Sequence, residues 1–245
     1  MLNTSTKVSV FDTPEQVAVA AAECFVESAD ELRRGLARFS VGLAGGNTPR
    51  RVYELLATDQ FRNQVEWPRV YLFFGDERCV PAEHPDSNYR MAFESLISQV
   101  PIPAANVQRI IGEGNANENA RAYENELRAF FAGLSYPRLD LVLLGMGDDG
   151  HTASLFPDSP ALQESSRWVV PTRNEQSGQD RITLTIPVFN HARHVAFLVT
   201  GKKKAQRLKE VLRPEPESKE LPVQAIAPIE GMLEWLVDRE AAALL

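Results

Sequence analysis

The stretch that most constrains this chain runs from Leu139 to Pro157 and reads LDLVLLGMGDDGHTASLFP. Its first half is a continuous apolar run, too short to span a membrane and suited to a strand buried on both faces. The second half changes to glycine and charge. Gly145, Gly147 and Gly150 permit tight turns, Asp148 and Asp149 sit between them, and His151 follows. An apolar strand that ends in such a loop predicts titratable groups at the carboxyl end of a parallel sheet, where open α/β folds bind ligands.

The rest of the chain supplies strands and helices in alternation. Thr13-Pro14-Glu15-Gln16 has the form of a capping box with proline at the first helical position, and it predicts an alanine-rich helix to about Arg34. Phe39 to Ala57 reads as strand, glycine turn (Gly45-Gly46-Asn47-Thr48-Pro49) and helix, with Val52, Leu55 and Leu56 on one face. Free N–H groups and the helix dipole make such a turn an anion site, although it lacks the Walker sequence. A second strand, Val70 to Phe74, runs into Gly75-Asp76-Glu77-Arg78, and Asp86 or Ser87 can cap the next helix. Pro101 and Pro103 mark a turn, and Asn117 to Phe131 is an amphipathic helix with Tyr123, Leu127, Phe130 and Phe131 in the core.

Beyond the central loop, Trp168 to Pro171, Arg181 to Ile186 and His194 to Thr200 read as strands, and Lys202 to Leu212 as a helix after Gly201. Pro214 to Pro222 is a charged, proline-rich loop. The chain is expected to close on a helix from about Pro228, with Met232, Leu233, Leu236 and Val237 inward. With no repeat and no long linker, residues 1–245 are read as one domain: a three-layer α/β/α arrangement with a mainly parallel, Rossmann-like sheet covered on both faces.

Composition excludes several function classes. A net charge of -7 and the lack of a basic arm argue against nucleic acid. No signal peptide and no run of spanning length argue against a membrane role. Cys24 and Cys79 belong to no CxxC and read as free thiols of a reducing cytoplasm. His191 and His194 have an HxxH spacing but no further ligands nearby in sequence, so no metal is expected on them.

GMGDDG, Gly145 to Gly150, satisfies GxGxxG by accident. Asp148 and Asp149 would repel a pyrophosphate, prolines follow at Pro157 and Pro160, and the acidic residue expected about twenty positions later is missing. There is no GxSxG elbow for a serine hydrolase, and His151 has no Cys or His neighbours at zinc-ligand spacing. What remains is a histidine two residues after Asp149, in a loop where the carboxylate can orient the ring. That is equipment for general base catalysis, or for a histidine that stabilises its own loop.

GGNTP (Gly45 to Pro49), FFGDERCVP (Phe73 to Pro81), HPDSNY (His84 to Tyr89), LGMGDDGHTASLFP, RITLT and GKKKA (Gly201 to Ala205) occur in this order. In these motifs the chain resembles the 6-phosphogluconolactonases, from about Phe11 to Gly231. That family is similar in fold to the glucosamine-6-phosphate isomerase/deaminases. The resemblance implies hydrolysis of 6-phospho-D-glucono-1,5-lactone in the oxidative pentose phosphate pathway, with no metal and no organic cofactor. It also implies His151 as base, Asp149 as its orienting acid, Arg78 as oxyanion donor and Asp76 as a holder of sugar hydroxyls. The phosphate would lie against Gly45, Gly46, Asn47 and Thr48, with Arg181 and Lys204 closing on it and Lys202 and Lys203 solvated nearby. Asn47 departs from the family's usual Ser or Thr, yet its carboxamide can donate to phosphate. The deaminases carry a tyrosine at the position of Arg78 and a glutamate at that of Phe156, so the ring-opening apparatus is incomplete here. A non-catalytic phosphosugar sensor is the other alternative, but such proteins usually add a helix-turn-helix. A cytoplasmic monomer or weak homo-oligomer is expected.

Overall fold

The short apolar runs become the interior of a parallel sheet. The computed structural model describes residues 5–31, 34–35, 37–215 and 220–245. In chain order these form β1 (Ser5–Phe11), α1 (Pro14–Asp30), β2 (Phe39–Leu43), α2 (Asn47–Leu56), α3 (Asp59–Arg62), β3 (Val70–Phe74), β4 (Asp76–Arg78) and α4 (Asn88–Ser95). There follow β5 (Val107–Gln108), α5 (Ala116–Phe130), β6 (Leu141–Gly145), β7 (Val169–Asn174), β8 (Gln179–Leu184), α6 (Ile186–Asn190), β9 (His194–Val199), α7 (Ala205–Leu212) and β10 (Met232–Asp238).

The main sheet has seven strands in the order β1-β10-β9-β6-β2-β3-β5, and every pairing in it is parallel. Such strands need cover on both faces, which accounts for their unbroken apolar sequences. Phe39 meets Phe25 of α1 edge to face at 5.4 Å. On the opposite face Phe73 meets Phe130 and Phe131 at the end of α5, at 5.0 and 5.8 Å. Helices therefore cover both sides, giving the three-layer α/β/α class. A smaller antiparallel sheet, β4-β8-β7, stands beside the main one and carries Asp76, Arg78 and Arg181.

Most local signals act as read. Thr13 Oγ1 accepts from the Gln16 N–H at 3.3 Å, and Gln16 Oε1 accepts from the Asp12 N–H at 2.8 Å, so the capping box is made. Ser87, rather than Asp86, caps α4 through the Arg90 N–H at 3.1 Å. The first helix stops at Asp30 instead of Arg34, whose N–H bonds the Glu31 carbonyl in a turn beside Gly35 at φ 117°. Trp168 to Pro171 and Arg181 to Ile186 pair as the antiparallel β7–β8 hairpin, and Ile186 opens a short helix. Of the loop Pro214 to Pro222, residues 216–219 lie outside the described residues.

The expected closing helix is a strand. Met232–Asp238 lies between β1 and β9 and is buried from Leu233 onward, while Met232 at its start is exposed. Leu233, Leu236 and Val237 fit a helical stripe, but they fit equally a strand packed on both faces, where periodicity carries no signal. Its partner β1 is the edge strand of the sheet, with Val8 and Val10 exposed. No helix among the described residues is long and apolar enough to cross a membrane.

Trp235 and Phe197 are paired across β10 and β9 and stack at 4.3 Å, with Trp235 only 2 % exposed. Trp235→Ala should cost about 3–5 kcal/mol of unfolding free energy, measured by urea denaturation; a loss below about 1 kcal/mol would mean that β10 is not a core strand.

Candidate active site

The chain leaves β2 towards β3 on one side of the sheet and leaves β6 towards β9 on the other, so β2 and β6 flank a topological switch point. A crevice opens there, at the carboxyl ends of the strands. It encloses about 530 Å³. Two buried tyrosines fix the strand ends that feed it. Tyr53 Oη accepts from the Ala44 N–H at 3.0 Å and donates to the Ala44 carbonyl at 2.9 Å. Tyr123 Oη does the same at Phe74, at 2.8 and 3.2 Å.

The loop after β6 is built around its own hydrogen bonds. The Gly147 N–H donates to the His151 carbonyl at 2.8 Å, and Thr152 Oγ1 to the Gly145 carbonyl at 2.8 Å. Gly150 takes φ 83°, a conformation side chains disfavour. Asp149 Oδ1 receives the His151 backbone N–H at 3.1 Å and lies 2.5 Å from His151 Nδ1. Burial pushes the Asp149 carboxyl pKa up, but the backbone and ring donors of His151 outweigh it and hold the group below its ordinary value. An ionised Asp149 can accept from Nδ1–H, which in the neutral ring puts the lone pair on Nε2. Phe156 packs against the ring at 4.9 Å. At Gly147 any side chain would run into His151 Nδ1 and Asp149 Oδ1, so the close dyad requires glycine there.

His151 lines the cavity, with Asp149 behind it. Gly45, Gly46, Asn47 and Thr48 form the opposite wall, where Gly46 at φ 104° turns the chain into α2 without a side-chain cap. The first N–H groups of that helix are thus free for an anion. Thr48 Oγ1 is 2.9 Å from Thr200 Oγ1. Lys204 reaches the wall from the turn after Gly201, whose N–H is held by both oxygens of buried Asp238 at 3.0 Å. Its ammonium pairs with Asp148, and this hydrogen bond from Lys204 lowers the Asp148 pKa. Lys202 and Lys203 are exposed and stand off the cavity.

Arg78 and Arg181 are register partners on β4 and β8, so they enter the crevice side by side. Both Nε atoms are buried without a partner. Burial, and then the charge of Arg78, depress the Arg181 pKa. Two like charges in partial burial call for an anion between them. Asp76, 5 % exposed, accepts from Ser154 Oγ at 2.6 Å and Asn88 Nδ2 at 3.2 Å. Glu77 points away and holds the start of α4 through Ser87 Oγ at 3.1 Å and the N–H groups of Asn88 and Tyr89, both at 2.7 Å.

All the residues expected at the site converge here, although they come from five separate segments. Sequence reasoning missed Ser154 and Asn88 as the partners of Asp76. Both lie inside motifs already singled out, but only the fold shows that they share one carboxylate. His191 and His194 do not converge: His191 stacks on Tyr136 at 4.4 Å, and His194 faces Cys24.

Comparison with known proteins identifies the family. The family described as glucosamine-6-phosphate isomerases/6-phosphogluconolactonase matches residues 12–235. A 6-phosphogluconolactonase of Synechocystis sp. is 45% identical over 206 residues, 82% of each chain. The human 6-phosphogluconolactonase is 39% identical over 97% of this chain and 93% of its own. The structure of 6-phosphogluconolactonase from Trypanosoma cruzi superposes with a TM-score of 0.88 at 31% identity, covering 100% of this chain and 97% of that one. The chain belongs to the glucosamine-6-phosphate isomerase/6-phosphogluconolactonase family.

Proposed function

We propose that the protein hydrolyses 6-phospho-D-glucono-1,5-lactone to 6-phosphogluconate, the lactone-opening step of the oxidative pentose phosphate pathway. The observation that carries this reading is the Asp149–His151 contact of 2.5 Å, facing a cavity whose other walls are a glycine turn and three cationic side chains. The phosphate docks on the Gly45-Gly46-Asn47-Thr48 turn and helix dipole, with Arg181 as a planar fork and Lys204 as a point charge. That places the lactone carbonyl towards His151.

Water attacks C1 as His151 Nε2 takes its proton, and the imidazolium that forms is stabilised by the ionised Asp149. The tetrahedral oxyanion is met by Arg78. Collapse breaks the C1–O5 bond, and His151 returns the proton to the departing ring oxygen. Asp76, held by Ser154 and Asn88, accepts hydrogen bonds from sugar hydroxyls. The product carboxylic acid ionises, so each turnover releases one proton. Phe156 lies against His151 where ring opening by a deaminase would need a carboxylate. Residues 1–245 act as one lactonase domain, in the cytoplasm, as a monomer or weak homo-oligomer and without a nucleic-acid or membrane partner.

Proton release after addition of fresh lactone, with the spontaneous rate subtracted, tests the activity. Acceleration with the lactone and no ammonia from glucosamine 6-phosphate is expected; ammonia release would assign the chain to the deaminase branch. His151→Gln should lower kcat by about 10²–10⁴-fold with the fold intact by circular dichroism, and wild-type turnover in this variant would remove the histidine from the mechanism. Gly147→Ala should lower kcat about 10²-fold, because the added methyl group separates the dyad. In Asp148→Asn, Lys204 loses its exposed competitor for the phosphate. KM should fall by up to about fivefold, the ratio that ~1 kcal/mol represents, with kcat little changed; an increased KM would show that Asp148 positions Lys204 instead of competing for it.

A further inference from the structure

At the end of the sheet opposite the crevice, three side chains from three separate elements meet. They are Cys24 on α1, His194 at the first position of β9, and Glu234 in β10. One ligating atom from each lies within 4.8 Å of the other two. Cys24 Sγ is 3.6 Å from His194 Nδ1, and Glu234 Oε2 is 3.5 Å from His194 Nε2. All three are largely withdrawn from solvent: Cys24 is 8 % exposed, and the side chains of His194 and Glu234 are 13% and 8% exposed.

The cluster is rich in donors and short of positive charge. Its cation is Lys7, whose ammonium reaches Glu234 at 2.7 Å from a side chain that is 63% exposed. Glu27 adds a further negative charge nearby. A divalent cation would supply the missing charge, and neutral imidazole, thiolate and carboxylate are the ligand types zinc selects.

We propose that Cys24, His194 and Glu234 form a binding site for a zinc-class divalent cation, separate from the lactonase crevice and unused in hydrolysis. In tetrahedral zinc sites, bonds of about 2.0 Å to nitrogen and about 2.3 Å to sulfur put those two atoms about 3.5 Å apart, close to the Cys24–His194 separation. Glu234 turns from Nε2 towards the ion, Lys7 swings into solvent, and water completes the shell. Uptake breaks the Cys24 S–H bond, forms the metal–sulfur bond and releases one proton to solvent. No electron is transferred.

The test uses the full chain, stripped with chelator and kept reduced with a phosphine, and titrated with Co²⁺ as a spectroscopic probe. The expected result is a thiolate-to-cobalt charge-transfer band that saturates at one equivalent and is displaced by Zn²⁺. It should be lost in Cys24→Ser and retained in Cys79→Ser. His194→Gln and Glu234→Gln should each weaken binding at least about tenfold. Zn²⁺ should raise the Tm of the wild type but not of Cys24→Ser, whose unchanged lactone turnover shows that it is folded. No band in the wild type, a band that survives Cys24→Ser, or affinity unchanged in both other variants would overturn the site.

Discussion

The candidate site is organised around the contact between Asp149 and His151. Two residues apart in sequence, they meet in a loop that turns at Gly150 with positive φ, and a side chain at Gly147 would run into both ring and carboxylate. The carboxylate is ionised despite its burial because the histidine donates to it twice, from backbone and from ring. That contact turns Nδ1 towards the carboxylate and so leaves Nε2 as the other ring nitrogen, the lone-pair nitrogen of a neutral ring whose Nδ1–H bonds Asp149. The remaining architecture brings other groups to that nitrogen: β6 delivers the loop, β2 and its glycine turn form the facing wall, and tyrosines from α2 and α5 pin the strand ends.

Charge is divided between two sheets. The parallel sheet contributes backbone N–H groups and the helix dipole of α2, which suit an anion of fixed position. The small antiparallel sheet contributes Arg78 and Arg181 as neighbours whose repulsion in partial burial an anion would relieve. Under the proposed function, a phosphorylated substrate with an anionic transition state would supply negative charge at both places. Asp148 pairs with Lys204, so that ammonium is not left partly buried without a counter-charge.

Much of this was legible in the sequence because the signals are local. A buried strand that ends in glycine and charge identifies a site-bearing loop whatever lies around it, and the capping box at Thr13 specifies a helix start by itself. The misreadings arose where the deciding interactions are distant in sequence. Met232–Asp238 forms a strand only because β1 and β9 lie on either side of it; alone, its apolar spacing suits a helix as well. Ser154 and Asn88 share Asp76 across 78 and 12 residues of chain. Likewise Cys24, His194 and Glu234 are unremarkable singly, and no spacing rule would group them.

The most direct measurement of the central claim is the tautomer of His151, read from ¹⁵N chemical shifts and long-range ¹H–¹⁵N couplings in histidine-labelled protein above neutral pH. The resonance is assigned by its loss in His151→Gln. The account predicts a neutral ring protonated at Nδ1, with that proton hydrogen-bonded to Asp149, and an Nε2 signal that moves when 6-phosphogluconate is added. A ring protonated at Nε2 and indifferent to the product would contradict it, leaving the Asp149–His151 contact a local brace of the loop.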